Sequence, residues 1–151
     1  MPSHYDRDLR ISLVLPEHWE VGSTPDFPLF LVAPQQQGFR SNLGFSRSEM
    51  PPDPDVVTRM VEAARREQAA EYPGFNELSA RELEIDSCPT FLQIYAWRPD
   101  GAAQPFRQWF GLVRTPRHGL IELNGATLES LASSAGPAVE GILRSVRFVD
   151  V

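Results

Sequence analysis

The sequence contains no lysine, and all 14 of its basic residues are arginines. Aspartates and glutamates number 20, so the formal net charge at pH 7 is −6. Nonspecific binding of nucleic acid depends on a basic surface that displaces counterions from phosphates. Docking on an anionic membrane surface needs the same sign of charge. The acidic balance therefore argues against both kinds of partner.

Cysteine and long apolar runs are scarce as well. Cys88 is the only cysteine, so an internal disulfide is excluded, and a single thiol is typical of a reducing compartment. No apolar run approaches the roughly 20 residues that a membrane-spanning helix needs. Residues 1–8 lack the apolar core of a secretory signal. If the chain begins at its natural start, these absences predict a cytoplasmic protein without membrane insertion.

Motifs for metal, phosphate or nucleophilic chemistry are missing. His4, His18 and His118 have no second histidine, cysteine or carboxylate at metal-ligand spacing; His18 with Glu20 comes closest, in a turn. The sequence has neither a phosphate-binding glycine loop nor the Gly-x-Ser-x-Gly elbow of serine hydrolases. We therefore expect no metal and no other cofactor.

Two weaker signals for chemistry have simpler explanations. Cys88 lies in a predicted turn where a nucleophile would be accessible, yet nothing nearby in the sequence would lower its pKa. Glu82, Glu84 and Asp86 alternate like a carboxylate cluster. The solvated face of an edge strand explains them better, because charges there also block unwanted strand pairing.

What is present is typical of a globular protein. The chain has 151 residues, of which 42% are hydrophobic and 23% charged. This length suffices for one hydrophobic core without disulfides or metals. The sequence shows no repeat, low-complexity tract or linker, so it predicts a single domain over residues 1–151.

Strand and helix patterns follow one another in a definite order. Period-two alternation predicts strands at 9–15, 42–46 and 82–86. A nearly continuous apolar run predicts a strand at 27–33, and residues of high β preference predict one at 90–98. A hairpin partner of that strand is expected at 106–113, and a last strand at 120–123. Asp53 and Pro54 predict the start of a long helix, as its N-cap and first residue. Pro73 and Gly74 predict its end. Its core-facing stripe is Val57, Met60, Val61 and Ala64.

The C-terminal part predicts two shorter helices. Thr127 is the expected N-cap of a helix that runs to Ser134, and Pro137 is expected to open another after an interruption at Gly136. Val139, Ile142 and Leu143 would face the core. The whole pattern predicts an α+β fold, with an antiparallel sheet of about six strands flanked by helices.

Four sequence signatures together resemble the PsbP-like superfamily, nearest to its DcrB and LpqN branches and to the EagR chaperones of secreted effectors. They are a first strand that ends in Pro16-x-x-Trp19, the segment 39–45 (FRSNLGF) before the helix, the turn before Pro89-Thr90, and the ending 142–148 (ILRSVRF). The resemblance covers nearly the whole chain. It implies an α/β/α sandwich around an antiparallel sheet, and roles in binding rather than catalysis.

The chain departs from that resemblance in one respect. LpqN-type members carry a lipoprotein signal with an anchoring cysteine near the N-terminus, and no such signal is present here. The departure favours the cytosolic branch. The resemblance supplies no catalytic residues that could be carried over to this chain.

One strand carries a mild functional signal. Residues 91–97 alternate an apolar face (Leu92, Ile94, Ala96) with a mixed aromatic face (Phe91, Gln93, Tyr95, Trp97). Arg107 and Trp109 are expected on the neighbouring strand. Tyrosine, tryptophan and arginine are enriched at the centres of protein interfaces, so Tyr95, Trp97, Arg107 and Trp109 form a predicted partner-binding site. The alternative is that the C-terminal helix covers these rings and they are simply core.

These observations predict a non-enzymatic protein-interaction module, an adaptor or chaperone that uses an exposed surface of the sheet. An uncovered sheet face would also serve a homodimer. The alternative function is a carrier that holds a small apolar ligand between sheet and helix. A third reading is an enzyme whose site forms only in three dimensions, for example where His118 meets Glu122 or Cys88.

Overall fold

The structure is a computed structural model that describes residues 2–149. These residues form ten strands, two α-helices and one short 3-10 helix. In chain order the elements are β1 Ser3–Asp6, β2 Ile11–Val14, β3 Glu20–Gly22, β4 Leu29–Val32, β5 Asn42–Arg47, α1 Pro54–Glu71, β6 Asn76–Ile85, β7 Cys88–Trp97, β8 Phe106–Arg114, β9 Leu120–Leu128, the 3-10 helix Glu129–Leu131, α2 Ala132–Ser145 and β10 Arg147–Phe148.

The strands form two antiparallel sheets. The larger has seven strands in the order β3-β4-β5-β9-β8-β7-β6, and the smaller has the order β1-β2-β10. Helix α1 packs on one face of the large sheet, while α2 and the small sheet pack on the other. We call these the α1 face and the α2 face. The predicted α/β/α sandwich is therefore confirmed, with one strand more than expected in its main sheet.

The small sheet contains the first strand that the sequence predicted. Ile11 and Leu13 are completely buried, as the alternation requires, but β2 pairs with β1 and β10 rather than with the main sheet. The main-chain N–H of Phe148 donates to the Asp86 carboxylate at 2.9 Å. This hydrogen bond holds β10, at the C-terminal end of the described residues, beside the β6–β7 turn.

Helix α1 begins and ends where the sequence predicts. Pro54 is its first residue, and the helix stops at Glu71 before Gly74, whose φ of +68° is the left-handed conformation that favours glycine. The Asp53 side chain makes no capping hydrogen bond, so the start relies on the fixed φ of Pro54. The predicted apolar stripe packs on the sheet.

The C-terminal helices differ from the prediction. Thr127 is not a helix cap; it is a buried residue of β9 whose hydroxyl bonds to Ser41 at 2.8 Å. Gly136 and Pro137 do not interrupt the chain, because α2 is continuous from Ala132 to Ser145. Pro137 is exposed and so is Ser133, four residues earlier, so water can reach the carbonyl that proline leaves unbonded.

The buried face of α2 agrees with the sequence. Val139 and Ile142 are fully excluded from solvent, and Leu143 is buried beside them. Within the described residues, no helix is long and apolar enough to cross a membrane.

Candidate interaction surface

The four residues of the predicted partner-binding site lie on two faces of the sheet. Tyr95 stands opposite Gln108 and Trp97 opposite Phe106, whereas Arg107 stands opposite Ala96 and Trp109 opposite Ile94. Directly opposite residues of an antiparallel pair share a face. Tyr95 and Trp97 therefore lie on the α1 face, and Arg107 and Trp109 on the α2 face.

Tyr95 is a buried residue beneath α1. Its ring lies between Tyr72, with centroids 6.0 Å apart, and Phe75, at 5.6 Å. Burial raises the pKa of Tyr95 strongly, and neighbouring Tyr72 raises it further. A side chain that is only 4% exposed supports its neighbours rather than contacting a partner directly.

Trp109 is equally buried, in the core of the α2 face. A Cβ built on Gly125 would lie 3.3 Å from the Trp109 ring and 2.7 Å from the carbonyl oxygen of Asn42. The indole and the β5 backbone therefore fit only because residue 125 has no side chain.

Trp97 and Arg107 remain partly accessible. The Trp97 ring stacks on Tyr72 with centroids 4.6 Å apart, and its Nε1 donates to the Gln108 side chain. Arg107 forms a two-point ion pair with Glu129, with its Nε donating to Oε2 at 3.2 Å. Both side chains sit at the same end of the sheet, although on opposite faces.

Rings continue from Trp97 across this end of the sheet. Phe106 lies 6.1 Å from Trp97 and Phe39 lies 5.5 Å from Phe106, centroid to centroid. Tyr72, Trp97, Phe106 and Phe39 are all half-buried. We call these four residues the aromatic patch. The sequence indicated Trp97 but missed the other three, because only the fold brings them together.

The alternative prediction is that the C-terminal helix covers the aromatic face of β7. A helix does cover that face, but the helix is α1. Val61 of α1 packs with Tyr95, Phe110 and Leu112 in a buried cluster, with Phe91 at its margin. The helix ends at Glu71, before it covers Trp97. That is why the aromatic patch stays half-exposed.

A buried pair of amides holds α1 to the sheet. Gln68 Nε2 donates to Gln93 Oε1 at 2.8 Å, and Gln93 Nε2 donates back to Gln68 Oε1 at 2.9 Å. Gln93 Nε2 also donates to Glu77 at 2.9 Å, and Glu77 is ion-paired with Arg65 of α1 at 3.0 Å. The polar Gln93 within an aromatic strand face was the sequence signal for this network.

Grooves run along both flanks of α1. One, of about 360 Å³, lies between the helix start and strands β6 and β7, with Val57, Phe91 and Leu112 at its base and Glu82 and Glu84 at its rim. The other, of about 270 Å³, lies on the opposite flank. It is lined by Met60, Ala63, Ala64, Glu67, Gln68, Tyr72, Tyr95, Phe110, Glu122 and Asn124.

Cys88 and His118 do share a recess, of about 270 Å³, with Asp86, Arg117 and Phe148. The Cys88 thiol donates to the Asp86 carbonyl at 3.5 Å. Burial raises the pKa of this thiol, and the nearby charges of Asp86 and Glu84 raise it further, so the environment favours the protonated form. A nucleophilic cysteine needs the opposite shift. Glu122 lines a different groove, away from His118.

Metal-binding clusters are likewise absent from residues 2–149: no group of three or more His, Cys, Asp or Glu side chains there could hold an ion. The described residues instead provide surfaces that a partner molecule can contact. These surfaces are the aromatic patch, the grooves beside α1 and the outer strand β6.

Neither a protein-family model nor a curated protein matches this sequence. Solved structures match its fold over nearly the whole chain. LpqN, involved in cell envelope biogenesis of Mycobacterium tuberculosis, has a TM-score of 0.73 at 14% identity over 99% of this chain and 90% of its own. Cyanobacterial PsbP from Synechocystis has a TM-score of 0.64 at 15% identity, covering 98% and 92%.

A eukaryotic protein shares the fold too. The Ran-binding protein Mog1p of Saccharomyces cerevisiae has a TM-score of 0.59 at 14% identity, covering 99% of this chain and 95% of its own. The chain therefore has the PsbP-like fold, as the sequence signatures predicted.

Proposed function

We propose that this chain is a non-enzymatic protein-interaction module of the adaptor or chaperone kind, and that the aromatic patch contacts its partner. The observation that carries the proposal is the run of half-buried rings from Tyr72 through Trp97 and Phe106 to Phe39. A few residues dominate the energetics of a protein interface, and tryptophan, tyrosine and arginine are enriched among them.

In this proposal the four predicted site residues have two roles. Trp97 and Arg107, which are partly accessible, contact the partner. Tyr95 and Trp109, which are buried, hold the end of the sheet in shape from its two faces. Arg107 would exchange part of its ion pair with Glu129 for a contact with the partner.

Two of the structural neighbours support a binding role. Mog1p is a Ran-binding protein, and LpqN is involved in envelope biogenesis. The shared fold makes an interaction module the natural class for this chain. The cytoplasmic location stays a prediction, since LpqN is involved in cell envelope biogenesis.

The test is affinity capture from a lysate of the native host with matched variants. Wild type is expected to enrich a protein that Trp97→Ala and Arg107→Ala lose. Tyr5→Ala removes an exposed ring from β1, far from the patch in the topology, and is expected to keep that protein. If all variants capture the same protein, the patch is not the site; if wild type captures none, an interaction module is the wrong class.

The grooves beside α1 favour one alternative function, a carrier of a small apolar ligand. Their apolar bases lie between helix and sheet, where such a ligand would bind. Native mass spectrometry of freshly purified protein separates the two functions. A co-purifying small mass supports the carrier, and a bare chain supports the adaptor. The same spectrum reports whether the predicted homodimer forms.

A further inference from the structure

The outer edge of β6 is an unusually long run of unpaired main chain. β6 ends the large sheet, and no strand among residues 2–149 pairs with its outer side. It is ten residues long, and Ile85 is its only buried residue. The other sheet edges, at β3, β1 and β10, have only two to four residues. An exposed edge of this length can accept another strand.

The β6–β7 turn determines which main-chain groups point outward. Asp86 and Ser87 have φ of 47° and 62°, so both central residues of this two-residue loop are left-handed, as in a type I′ turn. Such a turn makes Ile85 and Cys88 a hydrogen-bonded pair, and pairs alternate from there. Glu84, Glu82 and Ala80 then direct their N–H and C=O groups away from β7, toward solvent.

The side chains along this edge separate by charge. Glu82 and Glu84 stand opposite Phe91 and Pro89 and lie on the α1 face. Neither makes an ion pair with any cation of the described chain. A bulge at 77–79 shifts the register, so Glu77 lies on the α1 face too. The α2 face of the same strand carries Ser79, Arg81, Leu83 and Ile85.

This separation opposes pairing with a second copy of β6. A two-fold axis perpendicular to the sheet brings residues of the same face together, so Arg81 would never face a glutamate of the other copy. On the α1 face, Glu82 and Glu84 would meet acidic or uncharged side chains of the other copy and no cation, and like charges across strands destabilise pairing. A strand with basic side chains on the α1 face would be attracted.

We infer that the β6 edge binds an extended segment of a partner protein by strand addition, and that the segment alternates basic and apolar residues. Its basic side chains would lie beside Glu82 and Glu84, and its apolar ones beside Leu83 and Ile85. This inference rests on the proposed function and adds a second contact surface and the chemistry of the partner. Main-chain hydrogen bonds supply affinity in this mode, and alternate side chains supply specificity.

Grooves on both sides of the edge match the two kinds of side chain. On the α1 face, the 360 Å³ groove has an apolar base, the two glutamates at its β6 rim, and Arg114, whose Nε donates to the Pro52 carbonyl at 3.3 Å. The β6 rim suits the stem and charge of an arginine or lysine. On the α2 face, a groove of about 80 Å³ is lined by the apolar residues Leu83, Ile85, Leu92 and Leu143 and by the charged residues Arg81, Glu84, Glu140 and Arg144. Its size suits a small apolar side chain.

The experiment uses a synthetic peptide of about eight residues, typical of a strand, that alternates arginine and valine and carries a fluorophore. A second peptide has the same composition with its arginines and valines in separate blocks. We expect the alternating peptide to bind wild type about tenfold more tightly than the block peptide, since a tenfold ratio corresponds to only 1.4 kcal/mol. If both peptides bind equally well, net charge alone explains the binding, and the inference is overturned.

Two variants test the edge itself. Ala80→Pro removes one outward N–H at a position where an edge strand tolerates proline. Glu82→Arg with Glu84→Arg reverses the charge and leaves the backbone unchanged. Each is expected to weaken binding about tenfold. Glu49→Arg with Glu62→Arg makes the same charge change at exposed positions outside β6 and its grooves, and is expected to bind like wild type.

Amide hydrogen exchange locates the added strand. In the free protein, the amides of Arg81 and Leu83 are already bonded to β7, while those of Ala80, Glu82 and Glu84 are open. Peptide binding is expected to slow exchange at these three positions. Protection elsewhere, or none, would contradict the inference.

The outcome is separable from that of the proposed function. If capture from lysate depends on Trp97 but the peptide does not bind, the inference fails and the interaction module stands. If wild type is a dimer that Ala80→Pro dissociates, the occupant of the edge is a second copy and the inference is overturned. Binding to the alternating peptide that both edge variants lose supports it, whatever the capture experiment shows.

Discussion

The two faces of the large sheet are covered in different ways. On the α2 face, a continuous aliphatic core reaches from Leu29 and Leu43 to Ile142, with these side chains fully excluded from solvent. On the α1 face, the buried cluster is smaller, with Tyr95 and Phe110 among its five residues, and it is surrounded by half-buried rings such as Trp97. Burial of apolar area is the main source of stability. The α2 face therefore holds the fold together, and the α1 face is left freer to serve a partner.

The two helices explain this contrast. α2 presents Ala135, Val139, Ile142 and Leu143 as one buried stripe. α1 is longer, at 18 residues against 14, yet it buries only Val56, Val61 and Gln68. One of its three buried residues, Gln68, thus has a polar amide side chain. A helix that is anchored by a polar pair and a few apolar side chains leaves open grooves on both flanks.

Truncation of the core should show the largest difference between the faces. Ile142→Ala is expected to lower the free energy of unfolding by about 3–4 kcal/mol, because it opens a cavity in a fully buried site. Met60→Ala, at a half-buried position of α1, is expected to cost about 1 kcal/mol. Urea unfolding followed by circular dichroism measures both. Equal losses of unfolding free energy in the two variants would show that the two faces contribute equally to stability.

The amide pair should give a smaller but more specific effect. Gln68→Leu removes both hydrogen bonds to Gln93 and leaves the Gln93 carbonyl buried without its donor, at a cost of about 1–3 kcal/mol. Gln68→Leu with Gln93→Leu removes both polar groups and is expected to be less destabilising than the sum of the single changes. Unfolding free energies of the four proteins in this cycle measure the coupling. Additive losses would mean that the pair does not anchor α1.

The sequence predicts elements well and their arrangement less well. The helix start at Pro54 and the solvated glutamates of β6 are local properties, and both are confirmed. Which face Arg107 and Trp109 occupy depends on the register across the long connection between β7 and β8, and alternation alone cannot set that register. β3 was missed because its three residues are all exposed and carry no alternation.

The smallest expected effect concerns Tyr95 at alkaline pH. Burial raises its pKa in the folded protein, whereas an unfolded tyrosine ionises near pH 10. Above that pH the unfolded state binds fewer protons than the folded state, so stability is complete below about pH 10 and falls as pH rises. We expect a loss of about 1 kcal/mol near pH 10.5 from this residue. Urea unfolding at about pH 9 and 10.5 measures it.

The absence of lysine makes this measurement unusually clear, because no ammonium side chain titrates in the same range. Among residues 2–149, the other group with a raised pKa is the Cys88 thiol on the α2 side, whose contribution has the same sign and begins nearer pH 9. Tyr95→Phe is expected to remove the loss above pH 10 and Cys88→Ala the loss below it, so the two variants assign the alkaline change to one face or the other. Tyr5→Phe, at an exposed ring, is the matched control. If Tyr95→Phe leaves the pH dependence unchanged, the ring beneath α1 is reached by solvent, and the α1 face is more open than its contacts indicate.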